Sequence, residues 1–460
     1  MYISLMINSD GVKKMNVPRN VTEIWHTLEK EGFPTYLVGG AVRDFLIGVE
    51  PHDFDLATAA TPDQIKDVIS RNFSGTPCNF VGESFGVVIF DGIEIATFRG
   101  DTYGDSGNDK DVVIEFLDTI EADLYRRDFT INAMAISISG ELIDPWGGYD
   151  DIESHTLRFV GDANARIRED ANRLIRLCRF AAKTGFVISQ DTVTAVQENL
   201  HLVNSIAPDR IGKEIKKAME CENASAFWGS LHFTGILDII FPELADSFCH
   251  DGGQFHLETV WDHQMVAGDT VSTRFPIVKL AAYIHDVGKP RAFSLAADGS
   301  FIGHEKIGSD IITERFKFFK FSNNEIAQLS GLCRFHMRQL LDLSPKARRK
   351  LKKDLSDNNL SWSDLARIRV ADTKANLNNE RFSFTKIKNV VKSCTDVEDI
   401  PLSVHSLPVS GSDLIFEWQL ERGPVVSRLQ KFLFQWVIDE GNFDPDCILL
   451  KSKEFFDNEY

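Results

Sequence analysis

Two carboxylates two residues apart, Asp53 and Asp55, stand behind a double glycine, Gly39 and Gly40, and an arginine, Arg43. The stretch YLVGGAVRDFLIGVEPHDFDLAT (36–58) reads as a strand, a glycine turn, a short helix opening at Ala41, a turn at Gly48 and a second strand carrying both aspartates. Side chains two apart on a strand share a face, so both carboxylates project together from one sheet edge. Hard ions such as Mg²⁺ prefer carboxylate oxygen, and two of them about 3.5–4 Å apart hold the attacking and leaving oxygens of a phosphoryl transfer. With no Cβ at Gly39 and Gly40, amides at the helix start approach a triphosphate, and Arg43 adds charge. An acidic pair alone usually marks a solvated turn; the spacing of glycines, arginine and aspartates together points to chemistry.

The elements that must position these groups follow in order. Val21, Ile24, Trp25 and Leu28 give an amphipathic helix behind a short leader, stopped by Gly32 and Pro34. In TPDQIKDVI, Thr61 caps a helix and Pro62 suits its first turn. Strands at 85–90 and 93–100 meet at Asp91-Gly92, a tight-hairpin dipeptide. Glu94 lies opposite Ile93 and Ile95 as a partly buried carboxylate: either it shares a metal with Asp53 and Asp55, or it is a rim residue paired with an arginine. The run DTYGDSGNDKD (101–111) buries almost nothing and reads as a mobile loop.

LVGGAVRDFLIG followed by DFD resembles the head of the class II nucleotidyltransferases, the family of CCA-adding enzymes and bacterial poly(A) polymerases. The resemblance implies an α+β protein: a polymerase-beta-like head with a small mixed sheet (1–157), then a helical neck (158–225), body (226–400) and tail (401–460). It implies template-independent addition of C and A to the 3′ end of tRNA from CTP and ATP. Asp53 and Asp55 would hold Mg²⁺, with Glu94 as a further catalytic carboxylate, and Gly40 and Arg43 would bind the nucleotide. DLYRRDFTINAMA (123–135) matches the family's RRD motif, in which Arg127 contacts the nucleotide and Asp128 senses the ribose hydroxyl.

REDANRLIRLCRF (168–180) matches EDxxR through Glu169, Asp170 and Arg173. On one helix, Glu169, Arg173 and Arg176 share a face with Asp170 and Arg179 alongside. Carboxylate and guanidinium together meet the edge of cytosine or adenine, so Asp170, Arg173, Arg176 and Arg179 would select the base. The bland alternative is a helix laced with Glu-Arg pairs. The family's Arg-Xaa-Pro loop element is missing near Asn108–Lys110, which leaves partial addition as an alternative. A poly(A) polymerase is the other, although GESFGVVIF (82–90) stands where such enzymes carry a basic GRRF-like segment.

Beyond about residue 185 the pattern is helical, and six of the twelve histidines fall between His250 and His336. LAAYIHDVGKP (280–290) resembles the HD phosphohydrolase signature, which places His263, His285, Asp286 and Asp372 at one metal, with His304 and His336 candidates for a second ion or for phosphate. Imidazole mixed with carboxylate suits a transition metal that acidifies water. A third reading therefore makes this region a phosphohydrolase with an RNA-binding head.

At 460 residues the chain divides into three or four domains of ordinary globular composition. The absence of an apolar run of about 18 residues speaks against a membrane span, and MYISLMINSDGVKKMN lacks a signal-peptide pattern, so a cytoplasmic protein is expected. Seven widely spaced cysteines without CxxC read as reduced thiols, mostly core. A net charge of −18 counts against nucleic-acid binding except through a local strip, for which Lys346, Arg348, Arg349, Lys350, Lys352 and Lys353 are the candidates for gripping RNA backbone.

Overall fold

The computed structural model describes residues 2–6, 12–73, 78–79, 86–102, 113–252, 257–296, 298–338, 340, 343–376 and 403–459. The expected mobile loop beyond Thr102, the segment 82–85 and the expected body–tail boundary at 400–401 lie outside the described residues. The chain forms two compact units, 1–218 with 226–240, and 219–225 with 241–460.

The first unit opens with a hairpin, β1 (Tyr2–Met6) and β2 (Val12–Asn16), where the sequence suggested only a leader. Helix α1 (Arg19–Lys30) buries Val21, Ile24, Trp25 and Leu28, and the Trp25 indole donates to Thr35 O at 2.8 Å. A seven-stranded sheet follows in the order β11-β10-β3-β4-β7-β6-β5. Its strands are β3 (Thr35–Val38), β4 (Asp55–Thr58), β5 (Cys78–Asn79), β6 (Val87–Phe90), β7 (Ile93–Thr97), β10 (Ala135–Ser137) and β11 (Leu142–Ile143). β8 (Arg99–Thr102) and β9 (Val113–Phe116) form a separate ribbon. The β6–β7 turn has Asp91 at φ 50° and Gly92 at φ 78°, the doubly left-handed geometry that the Asp-Gly dipeptide favours.

Register places the chemistry. Val38 pairs with Asp55 antiparallel, so the glycine turn after β3 lies beside the start of β4. β4 and β7 run parallel with Leu56 opposite Ile95; one residue back, Asp55 and Glu94 fall on the same face. Helix α2 (Gly40–Ile47) starts at the turn, and α3 (Pro62–Asn72) carries a Thr61–Gln64 capping box. Asp53 precedes β4 in an irregular segment and is exposed, so the two aspartates do not share a strand as expected.

The remainder of this unit is α4 (Ile120–Tyr125), α5 (Gly148–Glu153), α6 (Ala163–Glu169), α7 (Arg173–Thr184), α8 (Gln190–Glu198), α9 (Pro208–Ala218), α10 (Ser225–Phe233) and α11 (Ile236–Ile240). A short parallel pair, β12 (Thr156–Leu157) with β13 (Val187–Ile188), interrupts the expected all-helical neck. The single helix expected across 169–179 is broken: α6 ends at Glu169 and Asp170 is extended (φ −146°, ψ 100°).

The second unit is helical: α12 (Pro242–Ala245), α13 (Val260–Thr270), α14 (Pro276–Ile284), α15 (Lys289–Leu295), α16 (His304–Phe318), α17 (Asn323–Phe335), α18 (Pro345–Asp357), α19 (Trp362–Ala375), α20 (Gly411–Trp418), α21 (Pro424–Glu440) and α22 (Pro445–Glu459). The last three pack around Leu414, Leu429, Leu433, Val437 and Ile448. Among the described residues no helix is long and apolar enough to cross a membrane. Of the described cysteines, Cys178 and Cys333 are buried and Cys249 is exposed, all as free thiols.

The basic strip on α18 does not act as one charged face. Arg349 is buried and donates to Ile438 O and Asp439 O, each at 2.7 Å, satisfying carbonyls that the end of α21 leaves without helical partners. Lys346 pairs with Asp439 at 3.2 Å and Lys353 with Asp357 at 2.5 Å. Arg348, Lys350 and Lys352 stay partly or fully exposed. Arg349→Ala is therefore expected to destabilise the second unit by about 3 kcal/mol, because hydrogen bonds from a buried charge are lost, whereas Lys350→Ala leaves the urea midpoint unchanged.

Candidate active site and histidine cluster

A cleft of about 530 Å³ in the first unit is lined by Gly39, Gly40, Arg43, Asp55, Glu94, Arg127, Asp128, Asp170, Arg173 and Arg176, joined by Arg99, Arg126, Asn132 and Phe180. Gly39 has φ 72°, and a Cβ there would sit 3.2 Å from Arg127 Nη1 and 3.9 Å from Asp55 Oδ2, so glycine lets guanidinium and carboxylate close on the turn. Burial, the Glu94 charge and the Asp53 charge push the Asp55 carboxyl up to about 6, against the pull of Arg127. Carboxylates whose mutual repulsion is not neutralised by protein cations form an oxygen donor set suited to a hard divalent ion. Glu94 is exposed rather than partly buried, because it faces the open cleft while Ile93 and Ile95 face the core.

Arg43 is buried, with Nη1 donating to Asn132 Oδ1 at 2.5 Å and Nη2 2.6 Å from Asp44. Arg127 donates to Asp123 at 3.1 Å. Asp128 receives four donors: Phe129 N (2.8 Å) and Asn132 Nδ2 (3.0 Å) on Oδ1, Arg176 Nε (3.1 Å) and Nη2 (2.5 Å) on Oδ2. An ionised carboxylate has about four acceptor sites. Two of the four donors come from Arg176, and a ribose hydroxyl reaching this carboxylate would have to displace or share one of them.

Burial alone would raise the Asp128 carboxyl; Arg176, Asn132 and the Phe129 amide outweigh it and hold it at about 2. A carboxyl depressed in the fold adds stability above its unfolded value and loses it as pH falls through the folded one. Asp128→Asn is thus expected to cost about 2–3 kcal/mol in urea unfolding at pH 7. The deficit should stay level down to about pH 4, near the unfolded carboxyl value, and narrow below it.

Asp170 sits at the α6–α7 break. Its carboxylate accepts from Asn172 N at 3.0 Å and from Arg210 at 2.9 and 2.8 Å. Arg173 Nη1 donates to Glu169 (2.6 Å) and Arg166 O (2.8 Å), and Nη2 to Arg126 O (3.1 Å). Arg179 is not brought to the cleft: it is buried and donates to Glu214 at 2.5 Å. Arg210, Asn132, Asp123 and Arg126 escaped the sequence reading. Only Arg126, the first arginine of RRD, had a visible signal.

In the second unit, all six predicted residues of the histidine cluster converge. His263 comes from α13, His285 and Asp286 follow α14, His304 begins α16, His336 follows α17 and Asp372 lies on α19. His263 Nε2 is 3.1 Å from Asp372; Asp286 lies 3.3 Å from His285 Nε2, 3.1 Å from His304 Nε2 and 3.5 Å from His336 Nε2. Two groups whose ligand atoms lie within 4.8 Å share Asp286: one with His263 and His285, one with His304 and His336.

In three rings Nδ1 is within hydrogen-bond distance of the carbonyl three residues back: His285 to Ala282 O (2.8 Å), His304 to Phe301 O (2.8 Å) and His336 to Cys333 O (2.6 Å). A proton donated there leaves each Nε2 with a lone pair for a ligand. His285 Nε2 and Asp286 Oδ1 are buried and, although imidazole nitrogens stand 3.1–3.5 Å from the carboxylate, make no well-aligned hydrogen bond, the mark of a site that fits a cation. Lys289 lies 2.7 Å from Asp286, Arg369 donates to Asp372 at 2.9 Å, and Glu258 sits 3.2 Å from His263 Nδ1. None of these three was singled out from the sequence, although Lys289 lies within HDVGKP beside the His-Asp pair.

Comparison with known proteins agrees with this architecture. Residues 35–158 match the poly A polymerase head domain, 185–248 a probable RNA and SrmB-binding site of polymerase A, and 270–359 the HD domain. His263 and Asp372 fall outside the matched HD span. The CCA-adding enzyme of Bacillus pumilus is 40% identical over 219 residues, covering 46% of this chain and 53% of the relative. Poly(A) polymerase I of Salmonella typhi is 33% identical over 256 residues, 53% and 54% of the two chains. The chain thus spans about half the length of the curated relatives it matches. The crystal structure of the Bacillus stearothermophilus CCA-adding enzyme in complex with CTP superposes with TM-score 0.59 at 22% identity, over 96% of this chain and 98% of that one. A CCA-adding enzyme from Thermotoga maritima complexed with tRNA gives 0.52 at 18% identity, over 96% of each. The chain thus carries a poly A polymerase head domain, a probable RNA-binding segment and an HD domain in that order, and over about half their length it is similar to proteins named CCA-adding enzyme and poly(A) polymerase I.

Proposed function

We propose that the chain is a cytoplasmic, template-independent nucleotidyltransferase that adds C and A to the 3′ end of tRNA from CTP and ATP. The observation that carries this reading is that Asp55 and Glu94 line the same cleft as Asp170, Arg173 and Arg176. A carboxylate set for transfer thereby faces a hydrogen-bonding set able to read a base edge. Arg43 and Arg127 bind the triphosphate beside Gly39 and Gly40, where the first amides of α2 lack helical partners. Asp170 accepts from an exocyclic amine and Arg173 donates to ring acceptors, while Asp128 orients Arg176. Mg²⁺ held by Asp53 and Asp55, with Glu94 beside them, would supply charge neutralisation at the reacting phosphate and acidify the RNA 3′-hydroxyl.

The test is incubation with tRNA ending before CCA. CTP alone should give a two-nucleotide extension, CTP with ATP a third, and then growth stops. Unlimited growth with ATP alone would instead make the protein a poly(A) polymerase, and a stop short of CCA a partial-adding enzyme.

A second activity is favoured by the convergence of His263, His285, His304 and His336 on the buried Asp286 carboxylate. The HD region would be a metal-dependent phosphohydrolase whose cation, held by His263, His285, Asp286 and Asp372 with His304 and His336 beside them, acidifies a bound water. Lys289 and Arg369 line the same cavity of about 1020 Å³ and would meet the substrate phosphate. In domain terms the reading places the transferase head at 1–157, the neck at 158–225, the body at 226–400 and the tail at 401–460.

A further inference from the structure

Asp123 touches none of the reacting groups, yet it joins the two halves of the cleft. It is completely buried on α4, and its carboxylate serves three arginines from two pieces of chain. Oδ1 accepts from Arg126 Nε at 3.0 Å and from the backbone amide of Arg99 at 3.3 Å; Oδ2 accepts from Arg127 Nη2 at 3.1 Å. All three arginines line the cleft, and Arg127 reaches the glycine turn. The far end of the same helix meets the base-reading side. Its terminal carbonyls, which lack helical donors, accept from Arg166 (Tyr125 O, 3.0 Å) and from Arg173 (Arg126 O, 3.1 Å). Arg166 O in turn accepts from Arg173 at 2.8 Å, and Glu169 pairs with both arginines.

We infer that Asp123 is a positioning residue that fixes Arg126 and Arg127 through its carboxylate and Arg173 through the carbonyl end of its helix, so that nucleotide affinity and base choice are set by one rigid turn. The inference rests on reading the cleft as the nucleotide site. Its physical basis is that a planar guanidinium gripped by a carboxylate is held in orientation as well as in place. Positioning errors of about 1 Å cost about 10²-fold in rate even when no reacting group is changed.

The experiment is steady-state addition by the full chain with Asp123→Asn, an isosteric change that removes the charge and one acceptor. KM for CTP and for ATP should rise about tenfold or more, and the preference for CTP over UTP in kcat/KM should fall about tenfold. KM for tRNA should not move. A role confined to stability would lower the unfolding midpoint and leave KM and the CTP/UTP ratio at wild-type values well below that midpoint; that result overturns the inference. If Asp123→Asn does not fold, Arg166→Gln serves, since Arg166 is outside the cleft lining and, beside its pairing with Glu169, holds the helix end. The CTP/UTP ratio should fall there too, and an unchanged ratio overturns the inference. Should Asp55→Asn keep full addition, the reading of the cleft itself fails; should Asp55→Asn be inactive while Asp123→Asn keeps wild-type KM and selectivity, only the role of Asp123 is lost.

Discussion

Asp55→Asn is expected to reduce nucleotide addition by about 10³-fold or more while making the metal-free protein harder to unfold. The two effects have one cause. Asp55 is largely buried beside Glu94 and Asp53, and its carboxyl is raised to about 6, above the ordinary value for an aspartate. For a carboxyl raised in the fold, stability is fully present below the unfolded value and is lost as pH climbs through the folded one. At pH 7.5 the ionised group therefore opposes folding, and an amide of the same shape relieves about 1–2 kcal/mol of that cost. Primer extension on tRNA and urea titration of the same preparation give both readings. An inactive variant that is also less stable would mean Asp55 props up the sheet, and an active one that it takes no part in the reaction.

Asp286→Asn should have an effect of similar size in the second unit. Asp286 belongs to both ligand groups, so its loss removes a donor from each. The affinity of the cluster for added Mn²⁺ or Ni²⁺ should drop by about 10²-fold or more, measured by titration calorimetry on protein stripped with chelator. The folded state should weaken as well, since Lys289 is buried at 2.7 Å from the lost charge and an uncompensated buried cation costs about 3 kcal/mol. Asp372→Asn touches only the group around His263 and should leave the His304–His336 side intact, so its affinity loss should be partial. Wild-type affinity in Asp286→Asn would take this carboxylate out of the metal centre.

Local rules carried the sequence reading where the chain obeys local chemistry. Asp91-Gly92 adopts the paired left-handed turn, and Thr61 and Gln64 close the capping box on α3. His285, His304 and His336 each sit at a helix end, and His263 lies in the first turn of α13, where a local motif fixes direction. Reading failed where distant residues decide. No Gly or Pro stands between Glu169 and Arg173, yet the chain leaves the helix there because the Asp170 carboxylate accepts from the Asn172 amide two residues on and is claimed by Arg210 from 40 residues away. Arg179 looked equivalent to Arg176, but Glu214 on α9 draws it from the cleft. The α18 run read as a uniform charge, and the carbonyls of α21 captured its central arginine. Asp53 fell out of the strand because pairing with β3 begins only at Asp55.

Three imidazoles of the histidine cluster lie within hydrogen-bond distance of main-chain carbonyls three residues back along the chain. The rings are thus locked by the main chain rather than by whatever ion sits among them. Emptying and refilling such a centre demands no reorientation of ligands, so an ion is exchanged against a rigid socket. Loading speed then depends on dehydration of the incoming ion and on access through the cavity mouth, and a chelated sample should recover its full complement without refolding.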